Sequence, residues 1–250
     1  MIRLQDVVKH YDAQTQIGPI NVDLPRSGIT AMIGPSGAGK STILTMMGRL
    51  LALDLGKVWM GDLDIHACPS DQVAKHLAVL LQDNHFTARL TVRQLACFGR
   101  FPLNKGRLSQ EDHQRVDYYL EFLGLLPLQD RYLDEISGGQ RQRAFIAMVL
   151  CQETDYILLD EPLNNLDIAH SVNLMKQLRL ACDKFGRTIV IVLHDINMAS
   201  QYADYICAVK DGQLFKAGPV DEMMQSQVLT NLFQTRVDVL KTDRGLVAVY

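Results

Sequence analysis

The residues with the clearest chemical meaning form a glycine-rich segment near the N-terminus. The segment fits the spacing G-x-x-x-x-G-K-[ST] at every fixed position and consists of Gly34, Pro35, Ser36, Gly37, Ala38, Gly39, Lys40, Ser41 and, directly after the motif, Thr42. Its glycines allow successive backbone N–H groups to point at one phosphate. Lys40 supplies a mobile positive charge, and the Ser41 hydroxyl is a hard oxygen ligand for Mg²⁺. The segment therefore predicts a binding site for nucleotide phosphates and Mg²⁺.

A structural glycine turn before a helix is the alternative interpretation of this segment. The flanking patterns disfavour it, because the apolar run 29–33 predicts a strand before the loop and the helical spacing over 43–51 predicts a helix after it. The loop alone leaves the reaction open, since kinases, GTPases, motors and transport ATPases all use one. The base-reading Asn-Lys-x-Asp of GTPases is absent from the sequence, which disfavours that class.

Two adjacent carboxylates follow a second short apolar run. Residues 156–159 predict a buried strand, and Asp160 and Glu161 come directly after it. At the end of such a strand both side chains can reach a phosphate site. We therefore expect Asp160 to hold Mg²⁺ through water and Glu161 to act as the general base toward the attacking water. A solvated turn is the alternative, and the phosphate loop upstream argues against it.

A third motif offers a second helix N-terminus that could bind phosphate. Ser137 suits the N-cap of a helix, and the backbone N–H groups of Gly138 and Gly139 stay accessible before Gln140. A single small domain cannot hold one γ-phosphate from two opposed helix ends unless its chain folds far back. The simpler geometry is a head-to-tail pair of copies, in which each copy completes the site of the other.

The composition is that of an ordinary globular chain. Of the 250 residues, 48% are hydrophobic and 21% are charged, which excludes a disordered protein, a collagen and a coiled-coil rod. The formal net charge of −3 disfavours nucleic-acid binding, which usually requires a basic surface. The five cysteines contain no C-x-x-C pair and predict reduced thiols. The sequence has no signal-peptide core and no apolar run of about 18 residues, so we expect any action at a membrane to come from outside the bilayer.

The elements that must position these motifs indicate an α/β body. Strands are predicted over 2–8, 20–24, 29–33, 156–159 and 188–193, and a helix over 171–185. Residues 91–150 differ, because their helical periods are interrupted by Pro102, Gly106, Gly124 and Pro127. This stretch predicts several short helices, and residues 223–233 predict further short helices packed on the body. We therefore expect an α/β fold with a helical insertion.

The three motifs in this order resemble the nucleotide-binding subunit of ATP-binding-cassette (ABC) transporters, and the resemblance covers nearly the whole chain. Residues 99–102, 164–167 and 193–197 are similar to stretches typical of bacterial importers of ferric siderophores, haem and cobalamin. The resemblance implies an α/β P-loop NTPase domain of the ABC type, with a RecA-like core, an N-terminal antiparallel β-subdomain and a helical signature subdomain. It also implies a single domain over 1–250, in which approximately 1–85 and 151–250 form the catalytic core and 86–150 the helical subdomain.

The resemblance also implies roles for individual residues. Tyr11 would stack on adenine with Ile17 beside it, and Gln82 would touch Mg²⁺ and the attacking water. Ser137, Gly138, Gly139 and Gln140 would cap the γ-phosphate bound by the opposite subunit. Asp167 would cross the dimer interface, and His194 would contact the γ-phosphate. For Tyr11, Gln82 and His194 the alternatives are a surface aromatic, a loop glutamine and a structural histidine. The remaining histidines are expected to be solvated or structural: His10, His66, His76, His85, His113 and His170.

The function implied by the resemblance is that of an ATP-hydrolysing subunit of an importer, with ATP and Mg²⁺ as ligands. Its partners would be a second copy of itself, transmembrane permease subunits and, indirectly, a substrate-binding protein, but no nucleic acid. It would lie peripherally on the cytoplasmic face of the inner membrane. Phe86, Leu90, Val92, Leu95 and Phe98 would line a groove for a permease helix, or else form the core of the helical insertion.

Several alternatives to this function stay open at the level of sequence. Iron–siderophore complexes are favoured as the cargo, while haem, cobalamin or another substrate is the alternative. A soluble ABC ATPase acting on ribosomes or DNA is disfavoured, because such proteins usually hold two cassettes or a long coiled coil. A switch that binds ATP without turnover is disfavoured by the presence of both Glu161 and His194. Ile136 replaces the leucine usual before Ser137, a volume-conserving change that we expect to be harmless.

Overall fold

The computed structural model describes residues 1–12, 15–82, 88–164, 166–243 and 245–250. Its strands are β1 (Ile2–His10), β2 (Gln16–Leu24), β3 (Gly28–Ile33), β4 (Leu55–Met60), β5 (Leu63–Asp64), β6 (Leu77–Leu80), β7 (Tyr156–Leu159), β8 (Thr188–Val192), β9 (Tyr205–Lys210), β10 (Gln213–Pro219), β11 (Asp238–Thr242) and β12 (Gly245–Val249). Its helices are α1 (Lys40–Met47), α2 (Ser70–His76), α3 (Val92–Phe98), α4 (Phe101–Asn104), α5 (Gln110–Phe122), α6 (Gly138–Cys151), α7 (Ile168–Phe185), α8 (Ile196–Tyr202), α9 (Val220–Met223) and α10 (Ser226–Phe233). No helix in the described part of the chain has the length and apolar character needed to span a bilayer.

A six-stranded sheet in the order β10-β9-β3-β8-β7-β6 forms the centre of the fold. Adjacent strands in this sheet pair in parallel, except that β10 runs antiparallel to β9. Every residue of β3, β7 and β8 is buried, as their continuous apolar sequences predict for strands covered on both faces. Alternate side chains point to opposite faces, so Met32 and Val190 pack into one core and Ala31 and Ile191 into the other.

The parallel arrangement brings four connections to one edge of this sheet. The phosphate loop follows β3, His194 follows β8, Asp160 and Glu161 follow β7, and Gln82 follows β6. Because β3, β8, β7 and β6 are successive neighbours, their carboxyl ends lie side by side. The edge is continued by a hydrogen bond from the Asp160 N–H to the Leu80 carbonyl, with an N–O distance of 2.8 Å. The topology therefore gathers segments that lie far apart in the sequence.

A second, antiparallel sheet in the order β2-β1-β4-β5 carries Tyr11 on the connection that leaves β1. Two backbone hydrogen bonds attach this sheet to the phosphate loop through the β9–β10 turn. The Gly18 N–H donates to the Gly212 carbonyl over 2.7 Å, and the Gly212 N–H donates to the Ala38 carbonyl over 3.0 Å. The N-terminal antiparallel sheet that the sequence resemblance implies is thus present and is joined directly to the loop.

Helices α3 to α6 occupy most of the stretch predicted to be helical. Thr91, Ser109 and Ser137 cap α3, α5 and α6 with reciprocal side-chain and backbone hydrogen bonds, which explains where these helices begin. Between α3 and α4 lies the buried Arg100. Its Nε donates to Asp112 over 2.9 Å, and its Nη1 donates to the Cys151 carbonyl and to Glu153, each over 2.8 Å.

The hydrogen-bonded acid at the centre of this ion-pair cluster is Asp112. A backbone hydrogen bond from Ser109 lowers the pKa of Asp112 well below its usual range, and the Arg100 guanidinium contributes in the same direction. The carboxylate therefore stays ionised, and the charges of Arg100 and Asp112 compensate each other inside the helical segment. The cluster ties α4 and α5 to the end of α6.

Several element boundaries differ from those predicted by the sequence. The helix expected over 43–51 ends at Met47, because the chain turns at Gly48, so Leu50 and Leu51 lie outside it. Helix α7 begins at Ile168, earlier than predicted, because the Asp167 side chain caps it. The short helices expected over 223–233 are confirmed as α9 and α10. The hairpin β11–β12 that follows them has no counterpart in the sequence-based prediction.

Candidate functional site

The glycines of the phosphate loop are required by its geometry. Gly34 has φ of 149°, and a Cβ added there would lie 2.0 Å from the Val209 carbonyl oxygen. Gly39, which precedes α1, has φ of 96°, and an added Cβ would lie 2.8 Å from Cδ1 of Ile17. An L side chain would therefore be strained and would clash at both positions. Gly37 also has a left-handed φ, of 76°, but no atom lies within 4 Å of its Cβ position, so the open side of the loop is at Gly37.

The Lys40 side chain lies inside the loop. It is 4% exposed, and its Nζ donates to the carbonyls of Gly34 and Pro35 over 3.0 and 2.9 Å. Burial lowers the pKa of the ammonium group, whereas Glu161 and Asp160 raise it. The two carbonyl contacts hold a positive charge at the centre of the backbone N–H cradle, where phosphate oxygens would compete for it.

Ser41 and Asp160 meet across the edge of the sheet. The Ser41 Oγ donates a hydrogen bond of 2.9 Å to Oδ1 of Asp160, which is 5% exposed. Burial raises the pKa of Asp160 and the neighbouring Glu161 adds to this effect, while the Ser41 hydrogen bond and the Lys40 charge oppose it. A hydroxyl and a carboxylate are the hard oxygen donors that Mg²⁺ prefers. The pair therefore fits a Mg²⁺ site.

The remaining ligands of such an ion would come from phosphate and water. Within the described ranges there is no group of three or more His, Cys, Asp or Glu side chains that could hold a metal ion. Mg²⁺ commonly keeps several waters and binds through one or two protein oxygens together with substrate phosphates. The two-residue donor set at the end of β7 and the start of α1 is consistent with that behaviour.

The Glu161 side chain is held from two sides. Its Oε1 lies 2.6 Å from Nε2 of His194, and its Oε2 accepts a hydrogen bond of 2.5 Å from Nδ2 of Asn164. The backbone of Glu161 has a left-handed φ of 48°, an uncommon conformation for a residue with a side chain that is often found at functional sites. The carboxylate thus has a fixed orientation, as a general base requires. Sequence analysis assigned no role to Asn164, because only the folded turn brings it to Glu161.

Gln82 and Tyr11 lie at the rim of this cluster. Gln82 is exposed and follows β6 at the same sheet edge as Asp160. The Tyr11 ring is 56% exposed, and its hydroxyl lies 3.5 Å from Oγ1 of Thr42 in the first turn of α1. Tyr11 therefore stands beside the phosphate loop and has a ring face available for a ligand. Ile17 is buried against Gly39 and Gly212, and its expected role of padding the base stays a prediction.

The Ser137 segment forms the start of α6. The Ser137 Oγ accepts from the Gln140 N–H, and the Gln140 Oε1 accepts from the Ser137 N–H, at 3.3 and 3.0 Å. Ser137 and Gly138 are exposed, and nothing lies within 4 Å of the Cβ position of Gly138. The first N–H groups of a helix lack partners within the helix. The motif therefore presents backbone donors to a ligand from outside its own helix.

Asp167 stands at the start of α7 and is largely exposed. Its Oδ1 accepts from the backbone N–H of His170 over 2.8 Å and lies 2.8 Å from Nδ1 of the same histidine. These two hydrogen bonds, the backbone one first, lower the pKa of Asp167, so the carboxylate stays ionised. The residue before Leu166, Asn165, lies outside the described residues.

The site and the fold together define a P-loop nucleoside triphosphatase. A glycine cradle with an enclosed lysine precedes a helix, a hydroxyl and a carboxylate suited to Mg²⁺ lie beside it, and an oriented Glu161 lies one residue further on. A family model described as "ABC transporter" matches residues 17–164, more than half of the chain. The chain therefore belongs to the ABC transporter family, and it is an ATP-binding ATPase of that family.

Individual relatives agree with this assignment. The chain is 54% identical over 250 residues to the Petrobactin import ATP-binding protein FatE of Bacillus anthracis, covering 100% of both chains. It is 45% identical over 250 residues to the Petrobactin import ATP-binding protein YclP of Bacillus subtilis (strain 168), covering 100% of this chain and 99% of that protein. Among solved structures, the dimeric post-hydrolysis state of the ATP-binding cassette MJ0796 bound to ADP and Pi aligns with a TM-score of 0.77 at 26% identity, covering 88% of this chain and 99% of that one. The predicted fold class, family and ATPase activity are thereby confirmed.

Proposed function

We propose that this chain is the ATP-hydrolysing subunit of an importer for a ferric siderophore of the petrobactin class. The observation that carries the hydrolytic part is the fixed Glu161, which contacts His194 and Asn164 at the edge that also holds Lys40 and the Ser41–Asp160 pair. The cargo is inferred from the two petrobactin import proteins, which match over the whole chain. Haem or cobalamin remains the alternative cargo.

In this proposal each side chain of the site has a distinct task. Tyr11 stacks on the adenine, and Lys40 together with the backbone N–H groups of Gly34 and residues 36–42 binds the phosphates. Ser41 and Asp160, with Gln82 nearby, would hold Mg²⁺, which when bound would neutralise charge on the phosphate oxygens. Glu161 accepts the proton of the attacking water, and His194 keeps Glu161 in place and donates to the γ-phosphate.

The active unit is a head-to-tail pair of chains. Ser137, Gly138, Gly139 and Gln140 of one chain cap the γ-phosphate that the phosphate loop of the other chain holds, and Asp167 crosses the same interface. Support comes from the exposed start of α6, whose N–H groups point away from its own helix, and from the similarity to a cassette solved as a dimer. ATP then closes the pair, and loss of the γ-phosphate releases it.

Replacing Ser137 with arginine tests this arrangement. We expect the variant to lose ATP-dependent dimerisation and most of its ATPase activity, because a long cationic side chain would occupy the space for the partner's nucleotide. Loss of the N-cap itself costs only about 1 kcal/mol of stability. Dimer formation is measured by analytical ultracentrifugation with and without ATP, and turnover by phosphate release.

The matched control for this variant is Thr91→Arg, which removes the capping threonine of α3 in the same hydrogen-bonded motif with a glutamine three residues later. Both variants should lose a similar amount of thermal stability, but only Ser137→Arg should fail to dimerise. Normal ATP-dependent dimers of Ser137→Arg would contradict the composite site.

The surface that contacts the permease belongs to the helical subdomain, which we take as residues 86–150. A concavity of about 560 Å³ is lined by residues that include Leu90, Phe98 and Phe101, and the two phenylalanine side chains are 49% and 56% exposed. Apolar groups exposed side by side on a small helical unit suit the apolar face of a permease helix. The chain would thereby lie peripherally on the cytoplasmic side of the membrane.

The groove predicted from sequence is only partly the one observed. Val92 and Leu95 are fully buried in the core of the helical segment, so they line no groove. Leu90 and Phe98 do line the concavity, and Phe86 lies outside the described residues. The buried Arg100 cluster connects this surface to the end of α6, and in this proposal it transmits movement between them.

The cargo is tested in cells that lack this chain. Uptake of radiolabelled iron is measured under iron limitation with ferric petrobactin, a ferric hydroxamate or haem as the sole source. We expect deletion to abolish uptake from ferric petrobactin, with restoration by the wild-type chain but not by Glu161→Gln. Unchanged petrobactin uptake in the deletion strain would rule out this cargo, and loss of haem uptake instead would identify the alternative.

A further inference from the structure

The side chain of His170 joins two segments that are remote in sequence. On one side its Nδ1 lies 2.8 Å from Oδ1 of Asp167, the oxygen that also accepts the backbone N–H of His170. On the other side the imidazole lies against Gly139 in the first turn of α6. A Cβ built on Gly139 would lie 3.2 Å from Cδ2 and 3.3 Å from Cγ of His170. The ring therefore fills the space that a side chain at Gly139 would need.

The two glycines of this motif face different surroundings. The Cβ position of Gly139 points at His170 and, at 3.5 Å, at Cδ2 of Leu166, whereas that of Gly138 meets no atom within 4 Å. A side chain at Gly138 would project into open space, while one at Gly139 would push on the start of α7. The His170 ring therefore packs against the backbone of α6 at Gly139, where a side chain on that residue would crowd it.

We propose that His170 is a positioning residue for the ATP site of the partner subunit, because it locks Asp167 and the start of α6 into one unit. This inference rests on the proposed head-to-tail dimer, in which both elements reach across to the partner. Either element alone could shift relative to the other, since Asp167 belongs to α7 and Ser137 to α6. The imidazole makes them move together, so that a closing dimer meets the partner's nucleotide with both elements in register.

Loss of His170 should affect ATP binding by a single chain and closure of the dimer differently. His170 contacts Asp167 and the start of α6, which lie outside the phosphate loop, so ATP binding by a single chain should not depend on it. Closure of the dimer should depend on His170, and each dimer contains two copies of this residue, one from each chain. A residue that only supported the fold would weaken both steps together with thermal stability.

The first test compares replacements of His170 in a Glu161→Gln background, where ATP is not consumed. His170→Ala removes both contacts, His170→Asn keeps a donor for Asp167, and His170→Phe keeps a ring against Gly139. For His170→Ala we expect unchanged binding of a fluorescent ATP analogue by the monomer. We also expect dimerisation to weaken by about 10- to 100-fold, the range associated with loss of one hydrogen bond to a charged group. The Asn and Phe variants should each recover part of that loss.

The second test is a double-mutant cycle on Gly139 and His170. Gly139→Ala forces a methyl group against the imidazole and should weaken dimerisation, and combining it with His170→Ala should relieve that effect because the space is vacated. Gly138→Ala is the matched control. Its methyl group faces open space, so any effect it has on dimerisation should be the same with and without His170.

The outcomes distinguish this inference from the proposed function. If the Glu161→Gln parent itself forms no ATP-dependent dimer, the proposed function fails first. If the parent dimerises and His170→Ala dimerises equally well, the positioning role is overturned. It is also overturned if Gly139→Ala is as harmful without the imidazole as with it, or if His170→Ala loses monomer ATP binding in proportion to dimerisation.

Discussion

Replacement of Glu161 with glutamine is expected to abolish ATP turnover while leaving a stable ATP-bound dimer. The amide has the size of the carboxylate; its oxygen can accept from Asn164 and its NH₂ group can donate to Nε2 of the neutral His194, but the amide cannot accept a proton from water. Loss of a general base lowers rates by about 10²- to 10⁴-fold. Since the γ-phosphate is then not removed, the bridge between the two chains persists. Size-exclusion chromatography with ATP should show a species of doubled mass.

The control for this variant is Glu121→Gln, which makes the same chemical change at an exposed position of α5. It should hydrolyse ATP at the wild-type rate and show no trapped dimer. Substantial turnover by Glu161→Gln would mean that another group activates the water. In that case the Glu161–His194 contact would have to be structural.

Replacement of Lys40 with alanine is expected to have the second large effect, and it acts at an earlier step. The buried ammonium group is the one positive charge that the described part of the phosphate loop contributes from a side chain. Hydrogen bonds from charged groups contribute about 1.5–3 kcal/mol, so ATP affinity should fall by about 10- to 100-fold. Hydrolysis should fall further, because charge on the γ-phosphate oxygens grows in the transition state.

Lys40→Ala should therefore differ from Glu161→Gln in one measurable respect. Isothermal titration should show weakened ATP binding for Lys40→Ala and normal binding for Glu161→Gln. Lys241→Ala, at an exposed position of β11, serves as the control for loss of a lysine. ATP turnover at the wild-type rate by Lys40→Ala would contradict the assignment of this loop as the phosphate-binding site.

The parts of the site that could be predicted are those encoded by local spacing. The phosphate loop and the Asp160-Glu161 pair each depend on a short segment next to a buried strand, and a buried strand leaves a continuous apolar run in the sequence. The capping role of Ser137 is local as well, because it is satisfied by Gln140 three residues later. The surrounding fold places such motifs in space, but their chemical roles can be inferred from the local sequence.

The elements that could not be predicted lack a distinctive local pattern. Strand β4 contains Gly56 and begins with three exposed residues, so it has no continuous apolar run. The hairpin β11–β12 is largely exposed, and it is held by bonds such as that from Asn197 to the Ala248 carbonyl. These elements form because a neighbouring strand or helix is already present to pair with them.

The contacts of Asn164, His170 and Arg100 show the same limit at the level of single side chains. Asn164 lies three residues from Glu161 and reaches it because the chain turns after β7. Arg100 lies between α3 and α4 and donates to Glu153, which follows α6. His170 was expected to be solvated or structural, and its contact with Gly139 crosses from α7 to α6. No periodicity or spacing rule relates Arg100 to Glu153 or His170 to Gly139.

The amino-acid sequence by itself determined the chemistry of this protein: a phosphate cradle, a hydroxyl and a carboxylate for Mg²⁺, and a base for water. It could do so because each group is specified by its near neighbours along the chain. Only the tertiary structure decided which of these groups meet. Parallel pairing in the order β3-β8-β7-β6 brings Lys40, His194, Asp160 and Gln82 to one edge, and the packing of α6 against α7 sets Gly139 on His170. These contacts form because distant segments are buried together in one core. The spacing of residues along the chain does not encode such contacts.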